Sequence, residues 1–182
     1  MSLRPQRCGV GRAAMLALML CLGTIALAPP VHAASGILIC SGTETLSFHP
    51  ALTNTPKSIE ITVSNLFGPC PITPDPQLTG GSVQQQFTAT ASCTTIVLSP
   101  PHSETYPWND GKQSVVAFTT TLVTQLANGS LVVVQEGTVT SGLDKGFIAT
   151  KTTTDPAFST VCDSPEGMKT LSGLVTIEFV GL

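Results

Sequence analysis

The sequence predicts an exported all-β protein: an antiparallel β-sandwich of about seven strands, immunoglobulin-like in architecture and held by two disulfides. Three observations carry this expectation. The first thirty-odd residues run from basic to apolar to small side chains, the pattern of a signal peptide. Four cysteines, an even number, follow it. Between them, short runs rich in Thr, Val, Ile and Phe alternate with clusters of Gly, Pro, Asn and Asp. No stretch of helix length shows an apolar i, i+3, i+4 stripe.

The leader comes first in the chain. Arg4, Arg7 and Arg12 form a positive segment, and Ala13 to Ala28 is an apolar run that Pro29-Pro30 ends. Val31 and Ala33 supply short residues at −3 and −1 of a signal-peptidase site, so cleavage is expected before Ala34. The run is too short for a bilayer, which takes about 20 apolar residues. Leu20 before Cys21 does not fit a lipobox, and a twin-arginine pair is missing, which leaves the Sec route. The expected organisation is therefore a signal peptide over 1–33 and one all-β domain over 34–182. A domain of about 150 residues buries a sizeable core without metals.

All three arginines precede residue 34, so five lysines face eleven acids and the mature net charge is near −6. That balance argues against nucleic acid and against an anionic membrane surface. No later segment is long and apolar enough to span a membrane as a helix, and no LPxTG-type sorting motif occurs near the end. The mature chain is expected to be released or held non-covalently.

The elements follow from turn chemistry. Strands are expected over 36–48, 57–66, 83–98, 113–126, 131–140, 145–152 and 170–180. His49 to Pro56 carries a proline at each end and reads as the first turn. Residues 69–82 (PCPITPDPQLTGGS) are too proline-rich to pair. Trp108-Asn109-Asp110-Gly111 and Asn128-Gly129 read as tight turns, since Asn and Gly tolerate φ > 0. In the last strand Leu171, Gly173, Val175, Ile177 and Phe179 share one face, as expected of a strand with one buried side.

Cys40, Cys70, Cys93 and Cys162 show no CxxC spacing, so disulfides rather than zinc are expected. Folding 36–48 back on 57–66 places Cys40 opposite a position near 65, with Cys70 a few residues beyond. A return strand carries Cys93 to the other end, roughly 30 Å away at about 3.3 Å per residue. The expected pairs are Cys40–Cys70 and Cys93–Cys162.

Candidate chemistry is sparse. His49 and His102 lie beside prolines in expected loops, without the orienting carboxylate and nucleophile of a catalytic centre. No Gly-x-Ser-x-Gly elbow occurs, and a glycosidase pair would have to come from scattered acids. Asp155, Asp163 and Glu166 lack the spacing of a calcium loop and read as a solvated loop. Asn128-Gly129-Ser130 matches a glycosylation sequon, although the turn already accounts for it. The stretch from His102 to Gly111 holds the single Tyr and single Trp, Tyr106 and Trp108. Exposed, they would anchor a carbohydrate or a protein partner; buried, they would plug the core.

Four segments occur together and in order: CSGTETLSFHPALTNTP with the following GPC; TATASC; YPWNDGKQSVVAF; and GTVTSGLDKG with the later VCDSPEGMKTLSGLVTIEF. With all four cysteines in place, the chain resembles a family of small, exported, Thr-rich actinomycete proteins of unknown function. One departure is Phe48-His49-Pro50-Ala51-Leu52, where such proteins tend to have Tyr-Ser-Pro-Gly-Leu. The resemblance implies export and an all-β fold, and it carries no activity. The sequence thus points to a secreted, non-catalytic binding or structural module needing no cofactor, with an extracellular protein or carbohydrate as partner. The alternatives are a carrier of a small apolar molecule, by fold-level analogy with the secreted apoproteins that hold enediyne chromophores, and a secreted hydrolase. Mass spectrometry of protein recovered outside the cell is expected to find an N-terminus at Ala34 or within a residue or two. An intact leader there would overturn the export reading.

Overall fold

Buried side chains recur with the period-two pattern of a strand, most regularly over 148–155 and 171–179. The computed structural model describes residues 36–93, 101–156 and 164–181. Every described residue belongs to one compact unit, His32–Leu182. The expected signal peptide, residues 94–98 of the expected third strand, and Cys162 lie outside the described residues.

Among the described residues eight strands form: β1 (Gly36–Leu52), β2 (Lys57–Phe67), β3 (Gly81–Ala91), β4 (His102–Pro107), β5 (Gln113–Gln125), β6 (Leu131–Gly142), β7 (Ile148–Asp155) and β8 (Met168–Gly181). They form one sheet in the order β3-β2-β1-β8-β7-β6-β5-β4, antiparallel at every junction. Because β1 pairs with β8, the sheet curls until β3 and β4 face each other. Their junction lacks a continuous ladder, but an isolated bridge joins Gly81 to Trp108. The result is a nearly closed up-and-down barrel.

This corrects the expected sandwich of seven strands. Sandwich and barrel strands have the same inward–outward alternation, so the pattern could not separate them. What separates them is the long β1–β8 ladder, from Gly36↔Gly181 to Leu52↔Met168. The eighth strand, β4, lies in the segment read from its aromatics and histidine. Register shifts in β5, between Val115 and Val116 and between Phe118 and Thr120, are bulges of the kind that help a sheet curve.

Pro50 does not end β1 as expected. Pairing with β2 stops at His49↔Glu60, and the register with β8 shifts between Ser47 and Leu52. A residue without an N–H is tolerated at such an irregularity. The turn therefore spans 53–56, and the hairpin register differs from the expected one: Gly42 faces Phe67. Cys70 follows closely and forms the expected bridge to Cys40. Cys93 lies at the opposite end of the β2–β3 ladder, beyond Lys57↔Ala91, and is itself disulfide-bonded.

The two tight turns form as the sequence implies. Gly129 has φ 84° and Gly111 φ 81°, and the amide of Gly129 donates to Leu126 O at 2.9 Å. In β8 the expected face, Leu171 to Phe179, points inward and is buried.

The barrel interior has two halves. One is filled by Leu38, Phe67, Tyr106, Trp108, Val116, Phe118, Phe147 and Phe179. The proline-rich segment after β2 joins this packing through Leu78 and Cys70. Gly81 lies where a Cβ would strike the Trp108 ring, so the plug depends on that glycine. The other half is walled by Phe48, Leu52, Ile59, Ile61, Leu131, Met168 and Leu171. Among the described residues no helix is long and apolar enough to cross a membrane.

The Cys40–Cys70 bridge spans a separation of 30 residues. In the chain-entropy account such a loop is worth about 3–4 kcal/mol. A Cys40→Ser/Cys70→Ser variant is expected to lose that much stability in urea unfolding. A loss below about 1 kcal/mol would mean that packing of Leu78 alone holds the segment.

Candidate functional site

Between the filled half and the apolar walls, five strands place a polar residue at an inward position: Glu44 on β1, Asn65 on β2, Glu104 on β4, Gln135 on β6 and Lys151 on β7. Each continues the phase of its apolar neighbours, as in Cys40, Glu44 and Phe48 of β1. All five are buried. A buried charge is costly unless it is paired and hydrogen-bonded, and the register supplies partners. Glu44 faces Asn65, and Gln135 faces Lys151.

Lys151 Nζ lies 3.2 Å from Glu44 Oε2 and 3.2 Å from Glu104 Oε1. With its amide oriented to match, Asn65 donates to Glu44 Oε2 at 2.8 Å and accepts from Lys151 Nζ at 2.9 Å. The three ammonium protons thus have three acceptors. Tyr106 donates to Glu104 Oε2 at 2.6 Å, and His102 Nε2 lies 3.2 Å from Glu104 Oε1. Burial alone would raise the Glu104 pKa. The His102 hydrogen bond, the Lys151 charge and the Tyr106 hydroxyl outweigh it and hold the pKa at about 2. Burial alone would lower Lys151, but the charges of Glu104 and Glu44 raise it. Burial first, then the Glu104 charge, pushes Tyr106 well above its usual value. The network is ionic and fully engaged.

Above this floor lies a cavity of about 800 Å³. Its walls include Leu46, Phe48, Ile61, Val63, Leu131, Val133 and Leu171, and it borders the β3–β4 junction at Gln85, His102 and Ser103. Gln85 Nε2 crosses that junction to donate to Ser103 O at 3.3 Å. Asp155, at the end of β7, also lines the cavity. It is 2% exposed, and its Oδ1 has no hydrogen-bond partner among the described residues. Gly173 leaves room for it, since a Cβ there would strike Asp155 Oδ1 and Thr154 O. Burial first, then the nearby Glu44 charge, raises the Asp155 pKa to about 7.

The residues singled out from sequence fall differently. Tyr106 and Trp108 are buried, 0% and 4% exposed, so they are not exposed anchors. Their rings stack with centroids 5.8 Å apart, and Trp108 Nε1 donates to Ser114 Oγ at 2.9 Å. They plug the barrel, because a chain with few aromatics uses them inside. Tyr106 also supports the floor through Glu104. His102 is not a loop residue but begins β4, half-buried against Glu104, whereas His49 is exposed on β1. Asp155 is not in a solvated loop. Glu166 is exposed, and Asp163 lies outside the described residues. Among the described residues no three His, Cys, Asp or Glu side chains are grouped to hold a metal ion.

The floor was missed in the sequence although a sign of it was present. Glu44, Glu104, Lys151 and Asp155 all fall in phase with buried residues of their strands, where a solvated charge would fall out of phase.

Asp155 makes the site's electrostatics measurable. Between about pH 4 and pH 7 the folded chain keeps a proton that the unfolded chain releases, so Asp155 lowers stability as pH rises through that window. Asp155→Asn is expected to flatten the decline and to gain on the order of 2 kcal/mol over wild type at pH 8. Below pH 4.5 both proteins should weaken as Glu104, held near 2 in the fold, takes up its proton. An unchanged slope between pH 4 and 7 in Asp155→Asn would overturn the assignment. In comparisons with known proteins, no family model, no curated protein and no solved structure matches this chain.

Proposed function

We propose that this is an exported, non-catalytic binding protein whose barrel lumen carries a small apolar molecule. The observation that carries the reading is the cavity of about 800 Å³, with apolar side chains in its walls beside an ionic floor. That volume lies in the range of pockets that enclose drug-sized ligands, and an eight-stranded barrel can hold one such molecule. Export is supported by the leader pattern over 1–33 and by the disulfide Cys40–Cys70.

Two other readings lose support. A carbohydrate or protein site at Tyr106 and Trp108 needs exposed rings, and both are buried. A hydrolase using His102 would orient it on Glu104, but that carboxylate is already shared with Tyr106 and Lys151. With a pKa of about 2, it is a weak base near neutrality.

Titration with Nile red, a neutral dye that brightens in apolar surroundings, tests the carrier reading. Saturable binding near one dye per chain is expected. Val133→Trp, which fills the cavity from β6, should weaken it at least about tenfold, or 1.4 kcal/mol. Binding that does not saturate, or that a folded Val133→Trp leaves intact, would sink the proposal.

A further inference from the structure

We propose that the occupant of the lumen is a cationic amphiphile, an apolar body bearing a protonated amine that donates to Asp155. The inference rests on the carrier reading and adds the ligand's charge.

The charges facing the lumen are unbalanced. Glu44 from β1 and Glu104 from β4 oppose Lys151 from β7, leaving one negative charge before Asp155 is counted. Asn65 on β2 and Gln135 on β6 bring none, and β8 presents Gly173. His102 on β4 pairs with Glu104 and, when protonated, cancels that excess, so that the ionised Asp155 then supplies the net negative charge. Lys57, at the start of β2, is not among the residues lining the cavity. A carboxylate ligand would therefore meet net repulsion at low dielectric, and the one lysine of the floor already has three acceptors. An ammonium would meet attraction instead.

Asp155 gives that attraction a place. It lines the cavity and is almost wholly buried, and its Oδ1 accepts no hydrogen bond from the described residues. A buried acceptor left unsatisfied is costly, and a ligand ammonium would remove that cost while neutralising the charge. Burial and the Glu44 charge raise the Asp155 pKa, and an ammonium beside it would lower it again. The apolar walls take the apolar body.

The test is displacement of Nile red at pH 8 by three twelve-carbon probes below their micellar concentrations: dodecylamine, dodecan-1-ol and dodecanoate. The amine is expected to displace the dye at least tenfold more effectively than the carboxylate, with the alcohol between them. Asp155→Asn, checked for folding by circular dichroism, should narrow the amine-to-alcohol ratio at least fivefold. Glu60→Gln, at an exposed position, should leave that ratio unchanged, which separates a lumen effect from the general pull of an acidic protein. Equal or better binding of dodecanoate would overturn the inference, as would an amine-to-alcohol ratio that Asp155→Asn does not move. If Nile red and dodecan-1-ol fail to bind wild type, the carrier reading fails and this inference with it. If they bind without a preference for the amine, only this inference fails.

Discussion

A lysine ammonium held between two glutamates and an asparagine, all out of water, is the contact around which this barrel is arranged. Lys151 on β7 reaches Glu44 on β1 and Glu104 on β4, three strands that share no ladder with one another. The cross-link therefore spans the lumen rather than running along the sheet. Breaking such a buried network by removing one partner typically costs about 3–5 kcal/mol. Here loss of the lysine would leave two carboxylates facing each other.

The same contact sets the division of the interior. On one side aromatic rings pack against one another: Tyr106 lies 5.8 Å from Phe67 and from Trp108, and 5.9 Å from Phe179, between ring centroids. On the other side Leu46, Phe48, Ile61, Val63, Leu131, Val133 and Leu171 line a cavity. The Tyr106 hydroxyl couples the two halves, since the ring belongs to the plug and the oxygen to the floor. Displacing that ring would disturb both the packed half and the base of the cavity.

The β3–β4 junction marks where closure stops. Two edge strands with unpaired backbone groups invite pairing with other chains, and each edge is blunted here. β4 is six residues long, and the edges are joined by the Gly81↔Trp108 bridge and the Gln85 side chain. The cavity borders this junction at Gln85, His102 and Ser103.

By itself the sequence determined the local structure. Proline, glycine and asparagine positions fixed most turns, period two fixed the buried face of β8, and hairpin geometry tied Cys40 to Cys70, because each depends on residues near one another in the chain. The sequence did not determine how far the sheet curls. Alternation looks the same in a sandwich and in a barrel, and the deciding contact joins β1 to β8, across most of the domain. The floor was equally hidden. Glu44, Glu104 and Lys151 are far apart in sequence, and a charge in phase with buried residues does not name its partner. Only closure of the barrel turns three separate buried charges into one network beside the cavity.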